Sequence, residues 1–282
     1  MKGKLAKLKE RIIPNGRAMI LAYDQGLEHG PRDFLDNPES ANFKYILDIA
    51  KRGGFTGIVL HAGLAEKYNA EIHDSNIPLI LKLNGTSELY TEEDPYSPQL
   101  YLVEDALQLG ATAVGYTVYS GSKYEDEMQK EFSKIIREAH SAGLPVIGWM
   151  YPRGKSLFDR RSASKTLKMA LEEQEKTKLP IDQTPSIVAY GARIGMELGA
   201  DIVKVKYTGS TESFRRVVQS ASPTEVVMSG GQMTKTDEEF LSIVKEVIAA
   251  GAVGIAVGRN VWQRKDPLII SQKIHHIIFG SS

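Results

Sequence analysis

Lys204 and Lys206 lie in the run Ala200-Asp201-Ile202-Val203-Lys204-Val205-Lys206-Tyr207, which reads as a buried strand. Side chains alternate along a strand, so the two lysines share one face while Val203, Val205 and Tyr207 take the other. Two ammonium groups roughly 7 Å apart on one inward face are costly to bury. Each opposes the charging of the other and burial adds to this, so one amine is expected to be neutral near pH 7. A neutral, desolvated lysine is a nucleophile that condenses with carbonyl substrates to give a Schiff base. The alternative is a half-exposed strand with solvated lysines, and the rest of the chain decides between the two.

Other reactive side chains stand where short apolar runs end. Asp24 follows the first run, His61 the second, Lys82 and Asn84 mark the third, and Tyr116 the fourth. The fifth run ends in Trp149, Tyr151 and Arg153, the seventh in Ser229-Gly230-Gly231 and the eighth in Gly258-Arg259-Asn260. Gly230 and Gly231 permit close backbone approach to an anion, and Arg259 can fork onto its oxygens, so these two ends read as a phosphate site. Arg153, with Lys206, is a candidate for a second phosphate, although an Arg after a Tyr-Pro turn is otherwise an ordinary surface residue. Trp149 and Tyr151 share a face; they fill an interior or, beside cationic lysines that would lower the tyrosine's pKa, supply an acid/base. Asp24 is a candidate carboxylate for proton relay, or a cap for the following turn. The six histidines show no metal-ligand spacing, which disfavours a metal site.

The elements that must position these groups recur. A helical stretch ends in glycine and an apolar strand follows: Gly53-Gly54 before Gly57-Ile58-Val59-Leu60, Gly110 before Ala113-Val114-Gly115-Tyr116, Gly143 before Val146-Ile147-Gly148-Trp149, Gly199 before Ile202-Val203-Lys204, and Gly251 before Val253-Gly254-Ile255-Ala256-Val257. Glycine past a helix end enters the left-handed conformation cheaply and turns the chain into the strand. Ala18 to Tyr23, Leu79 to Leu83 and Glu225 to Ser229 complete a set of about eight strands, short and apolar as parallel strands covered by helices are. Helical patterns run from Asn42 to Lys51, Lys123 to Ser141, Ile187 to Leu198 and Asp237 to Ala250, the last opened by a Thr236/Glu239 capping box. Alternating units in this number predict an α/β fold: a single (β/α)8 TIM barrel over residues 1–282. A doubly wound sheet is the alternative, but the first turn, Asp24-Gln25-Gly26-Leu27-Glu28-His29-Gly30, lacks GxGxxG.

Composition narrows the function classes. The chain has 282 residues, 42% hydrophobic and 25% charged, with 35 basic and 35 acidic side chains. Zero net charge offers no global attraction to nucleic acid or membrane. The absence of cysteine excludes disulfides and thiolate chemistry and fits a reducing, cytoplasmic compartment. The start, Met1-Lys2-Gly3-Lys4-Leu5-Ala6-Lys7-Leu8, is no signal peptide and reads as a short amphipathic helix plugging the barrel base. No stretch is long and apolar enough to span a bilayer.

Taken together, Ala22-Tyr23-Asp24-Gln25-Gly26-Leu27-Glu28-His29-Gly30-Pro31, Leu79-Ile80-Leu81-Lys82-Leu83-Asn84-Gly85, Trp149-Met150-Tyr151-Pro152-Arg153-Gly154, Val203-Lys204-Val205-Lys206-Tyr207-Thr208-Gly209, Met228-Ser229-Gly230-Gly231 and Val257-Gly258-Arg259-Asn260-Val261-Trp262-Gln263 resemble the archaeal-type class I fructose-1,6-bisphosphate aldolases. The resemblance implies a TIM barrel that reversibly cleaves fructose 1,6-bisphosphate to dihydroxyacetone phosphate and glyceraldehyde 3-phosphate, in glycolysis and gluconeogenesis. It assigns the Schiff base to Lys204, acid/base work to Tyr151 and a supporting carboxylate to Asp24. It places substrate contacts at Gln25, His29, Asp33, Trp149, Arg153 and Lys206, and phosphate at Ser229, Gly230, Gly231, Gly258 and Arg259. It also implies a homo-oligomer, often a decamer, and no metal or other cofactor. A related Schiff-base aldolase, transaldolase or acyltransferase acting on another sugar phosphate is the alternative, and a silent sugar-phosphate-binding protein a rival from another class. Residues 155–180 read as an insertion of roughly twenty residues after strand five, containing Arg160-Arg161 and the helical stretch Lys165 to Lys178; such a loop is a lid, a subunit contact or surface decoration.

Overall fold

In the computed structural model, which describes residues 2–89, 94–161 and 163–280, eight parallel strands close into a barrel in sequence order. They are β1 (Ala18–Ala22), β2 (Gly57–Leu60), β3 (Leu79–Lys82), β4 (Ala113–Ser120), β5 (Val146–Pro152), β6 (Ile202–Val205), β7 (Glu225–Ser229) and β8 (Gly254–Val257). β8 returns to β1, pairing Ala18 with Gly254 and Ile20 with Ala256. The glycines expected to end helices do so: Gly54, Gly110, Gly143, Gly199 and Gly251 all have positive φ, from 73° to 105°. The expected helices form as Phe43–Arg52, Glu125–Ser141, Pro185–Leu198 and Asp237–Ala249. The capping box is half formed: Thr236 Oγ1 accepts the Glu239 N–H at 3.1 Å, but the Glu239 carboxylate accepts from Lys235 N at 3.2 Å.

Strand parity divides the core into two layers. Met19, Leu21, Ile58, Leu60, Leu81, Val114, Val203, Val205, Met228 and Val257 face the helices. Ala18, Ile20, Val59, Ile80, Ala113, Ile147, Ile202, Val227 and Ala256 fill the barrel interior. Leu8, Ile12 and Ile13 join this inner cluster, so the N-terminal helical segment (Lys2–Ala6, continued through Ile12) stoppers the barrel base as expected; Met1 of that stretch lies outside the described residues. β4 runs four residues beyond the expected Tyr116, and this corrects the reading of that strand end. Tyr116 points outward, stacks on Phe132 with centroids 5.4 Å apart and donates to Glu131. Thr117 and Tyr119 take the inward positions instead.

Within the 155–180 segment, Lys165–Thr177 is helical, capped where Ser164 Oγ accepts from Leu167 N at 3.2 Å. Leu167 and Ala170 pack with Leu157, Ile181 and Ile187, and the Glu173 carboxylate accepts from Ser186 N at 2.9 Å and Ser186 Oγ at 2.8 Å. The helix is thereby tied along Pro185–Leu198, on the outer layer of the barrel. The chain leaving it carries Asp182 and Gln183 back to the mouth.

Candidate active site

The inward face of each strand is apolar at the base and turns polar toward its carboxyl end. On β6 the step is from Ile202 to Lys204, on β3 from Ile80 to Lys82, on β2 from Val59 to His61, and on β7 from Val227 to Ser229. β1 continues past its last residue to Asp24. A parallel barrel gathers these ends on one rim. They line a cavity of about 540 Å³.

Lys204 stands at its floor, 4% exposed, with Nζ 4.9 Å from the centroid of the Trp149 ring. Among the described residues no carboxylate forms an ion pair with it. Its pKa is lowered, first by burial and then by the Arg259 guanidinium, while Asp24 and Glu28 pull the other way. The expected cause was Lys206, and this is corrected. Lys206 sits beyond the end of β6 and is bound to the Asp182 carboxylate, so its charge is answered locally.

Tyr151 projects inward from β5, its hydroxyl 3.0 Å from Ser229 Oγ. The lowered pKa expected for a tyrosine among lysines is also overturned. Burial drives the phenol well above its ordinary range; the Ser229 contact opposes this and the Asp24 charge adds to it. Tyr151 is therefore held protonated at neutral pH.

The remaining expected contacts converge with one exception. Asp24, Gln25, His29, Trp149, Arg153, Lys206, Ser229, Gly230, Gly231, Gly258 and Arg259 all border the cavity. Asp33 does not: it is 7% exposed and stands behind the rim, taking His29 Nδ1 at 2.7 Å and lying 3.9 Å from Arg259 Nη1. It braces two cavity residues, His29 and Arg259. Arg153 is held by Glu28 at 2.8 Å and lies 5.1 Å from the Tyr119 ring.

Several groups that shape the site were given no role: Asn260, His61 and Lys82, noted only as strand-end residues, and Glu28. Asn260 is fully buried and staples the loops after β7 and β8: its Nδ2 donates to Gly230 O at 2.8 Å and Gln232 O at 2.7 Å, and its Oδ1 accepts from Thr234 N at 2.9 Å. Glu28 was passed over because nothing local distinguishes it from a solvated carboxylate. Lys82, 5% exposed, has its Nζ 5.5 Å from the same Trp149 ring. His61 is held neutral by burial and by the charge of Lys82, its pKa pushed down to about 4. Gln25 Nε2 and His61 Nδ1 are buried without a hydrogen-bond partner among the described residues, and both residues border the cavity. Strand parity is the signal that marks His61 and Lys82, since each follows an inward apolar residue by two positions. No group of three or more His, Asp or Glu side chains converges on a metal-sized site among the described residues.

Comparisons with known proteins converge on one group. A model of the DeoC/LacD family aldolases matches residues 18–264. The class 1 fructose-bisphosphate aldolase of Thermoproteus tenax is 45% identical over 280 residues, covering 98% of this chain and 96% of that one. Its namesake from Halobacterium salinarum is 41% identical over 268 residues, covering 95% and 92%. A solved archaeal fructose-1,6-bisphosphate aldolase, its catalytic lysine covalently bound to the carbinolamine intermediate, superposes with a TM-score of 0.85 at 44% identity, covering 98% of this chain and 100% of that one. A deoxyribose phosphate aldolase from Aeropyrum pernix, 15% identical with a TM-score of 0.52, shares the fold. With a parallel barrel, a buried lysine on its sixth strand and this extent of likeness, the chain belongs to the DeoC/LacD aldolase family, among its class 1 fructose-bisphosphate aldolases.

Proposed function

We propose that this protein is a Schiff-base aldolase that cleaves fructose 1,6-bisphosphate reversibly to dihydroxyacetone phosphate and glyceraldehyde 3-phosphate. The observation that carries the reading is Lys204: a 4% exposed amine with a lowered pKa, open to a polar cavity and free of any carboxylate partner among the described residues. Its lone pair adds to the C2 carbonyl, and loss of water leaves an iminium. As a base takes the C4 hydroxyl proton, the C3–C4 electron pair withdraws into the iminium and C4 departs as an aldehyde. The enamine left on Lys204 is protonated at C3, for which the protonated Tyr151 phenol is suited. Hydrolysis then frees the amine and the ketose phosphate.

One phosphate is assigned to Ser229, the Gly230-Gly231 backbone, Gly258 and Arg259. The other is assigned to Arg153 and Lys206, where it would draw these cations from Glu28 and Asp182. Gripping both ends fixes C2 over Lys204 and supplies orientation. His29 and Gln25 are assigned to the sugar hydroxyls, Asp24 to the proton path and Asp33 to support behind His29 and Arg259.

The proposal extends to the whole chain as one barrel domain, with 155–180 an appended helix on its outer layer, and to a cytoplasmic homo-oligomer acting in glycolysis and gluconeogenesis. The absence of cysteine supports the first setting. Exposed Phe158, Met169 and Tyr190, 70%, 54% and 56% accessible, support self-association. Borohydride reduction in the presence of fructose 1,6-bisphosphate tests the chemistry. A covalent adduct mapped by mass to Lys204, with cleavage undiminished by EDTA, is expected. An adduct on Lys206, or none, refutes the assignment.

A further inference from the structure

The helix Lys165–Thr177 and the chain leaving it have no task in the reaction proposed above, yet they are fastened to both flanks of β6. Glu173 holds Ser186 at the start of the helix before β6, and it lies 3.7 Å from Arg216 in the helix after β6, Thr211–Ala221. Lys178, with a positive φ of 62°, ends the helix. Leu179 then lies against the loop after β6: a Cβ built on Gly209 would meet its Cδ1 at 3.1 Å. A single tight turn follows, Ile181–Gln183, in which Ile181 is buried and its carbonyl accepts from the fully buried Thr184 Oγ1 at 2.8 Å. Asp182 sits in this turn, and its carboxylate accepts from Lys206 Nζ.

The buried contacts fix this turn without the ion pair, and a half-buried pair of this kind adds little stability of its own. Its placement is more informative. Lys206 borders the cavity, and so does Gln183 beside Asp182. Arg153, the other cation assigned to the same phosphate, is likewise closed by a carboxylate, Glu28, at 2.8 Å. Arg259, at the opposite phosphate site, has no such close partner among the described residues: Asp33 lies 3.9 Å away and is taken by His29 at 2.7 Å. The asymmetry matches the order of the chemistry. When C3–C4 breaks, the ketose phosphate stays covalently on Lys204, whereas the aldehyde phosphate, held by non-covalent contacts alone, has to leave.

We propose that Asp182 is a specificity-determining residue: an internal anion that occupies Lys206 until the distal phosphate displaces it, and that reclaims Lys206 when the aldehyde phosphate departs. The inference rests on the aldolase reading and on its assignment of one phosphate to Arg153 and Lys206. A phosphate monoester carries about −1.5 to −2 charges at neutral pH, so it outcompetes a single carboxylate for the ammonium. A neutral hydroxyl at that end of a sugar does not, and leaves the pair closed. The cost of parting Lys206 from Asp182 weakens the grip on the distal phosphate, and the same cost is recovered on release, where it speeds dissociation.

The test isolates the distal site. Borohydride reduction of the dihydroxyacetone phosphate adduct on Lys204 fills the phosphate site at β7 and β8 permanently, so calorimetric titration of that adduct with inorganic phosphate reads the distal site alone. Wild type is compared with Asp182→Asn, each also in a Lys206→Met background. Asparagine keeps an acceptor for Lys206 Nζ and removes the charge. Expected in Asp182→Asn are phosphate binding about tenfold tighter, a lower KM for fructose 1,6-bisphosphate and stronger product inhibition by glyceraldehyde 3-phosphate, with no effect of Asp182→Asn once Lys206 is replaced. Unchanged or weaker phosphate binding in Asp182→Asn overturns the proposal, as does an equal gain in the Lys206→Met background. A wild-type adduct that binds no phosphate overturns it too, by removing the distal site while the Schiff-base chemistry stands. Failure of wild type to form the adduct removes the aldolase reading itself, and this role with it.

Discussion

Gly115 offers a perturbation whose size is set by the structure. It occupies an inward position of β4, paired with Lys82 on β3 and Ile147 on β5. A Cβ built there would lie 2.3 Å from Trp149 Cζ3 and 2.4 Å from Cη2. Ordinary carbon–carbon contact is about 3.5–4.0 Å, so in Gly115→Ala the ring must retreat by about 1 Å or the strands must part. The indole is rigid and only 3% exposed, so it cannot swing away into solvent. Overpacking of this kind costs about 1–3 kcal/mol. At about 2–4 °C per kcal/mol this lowers Tm by roughly 2–12 °C. The functional loss should be larger than the stability loss suggests, because the displaced ring underlies both Lys204 and Lys82. A misplacement of about 1 Å costs on the order of 10²-fold in turnover. The assay is steady-state cleavage of fructose 1,6-bisphosphate beside a thermal melt. Gly63→Ala, where nothing lies within 4 Å of the added carbon, is the control and should match wild type in both. Native Tm and native kcat in Gly115→Ala would refute the reasoning, showing that the ring has room to move and does not fix the amines.

Three other outcomes follow from the same geometry. Lys204→Met should abolish turnover and the borohydride adduct yet raise stability at neutral pH. The folded amine has a pKa below its ordinary 10.5, so it penalises the folded state at all pH values below 10.5; the gain seen in urea titrations at pH 7 should therefore vanish above about pH 10.5. Tyr151→Phe should reduce kcat by about 10²–10⁴-fold while mass spectrometry still finds the trapped adduct on Lys204. Asn84→Ala strips buried partners from Ser97 O, Thr117 O and Thr117 N, and at about 1–3 kcal/mol for each unsatisfied group should lower the unfolding free energy by at least about 3 kcal/mol, read from the denaturant midpoint.

Much of this molecule is written in local pattern. Glycines at helix ends announced the entry to five strands, because only their backbones take positive φ cheaply. The run Ile202 to Lys206 placed an amine on an inward face because strand periodicity is two. Ser229-Gly230-Gly231 and Gly258-Arg259 were legible as one site because consecutive strands of a parallel barrel lie side by side. What each charged group faces was not written there. Lys206 was read as the neighbour that depresses Lys204, yet Asp182, 24 positions earlier in the chain, claims it, and Arg259 supplies the opposing charge. Tyr151 was read as acidified by cations, yet enclosure outweighs them and drives its pKa up. Asp33 shares a short motif with His29 but turns behind it. Periodicity fixes which way a side chain points, since that depends on the residue's own backbone. Its partner, its solvent exposure and hence its charge state depend on residues that meet only when the barrel closes, and the tertiary structure alone decided those.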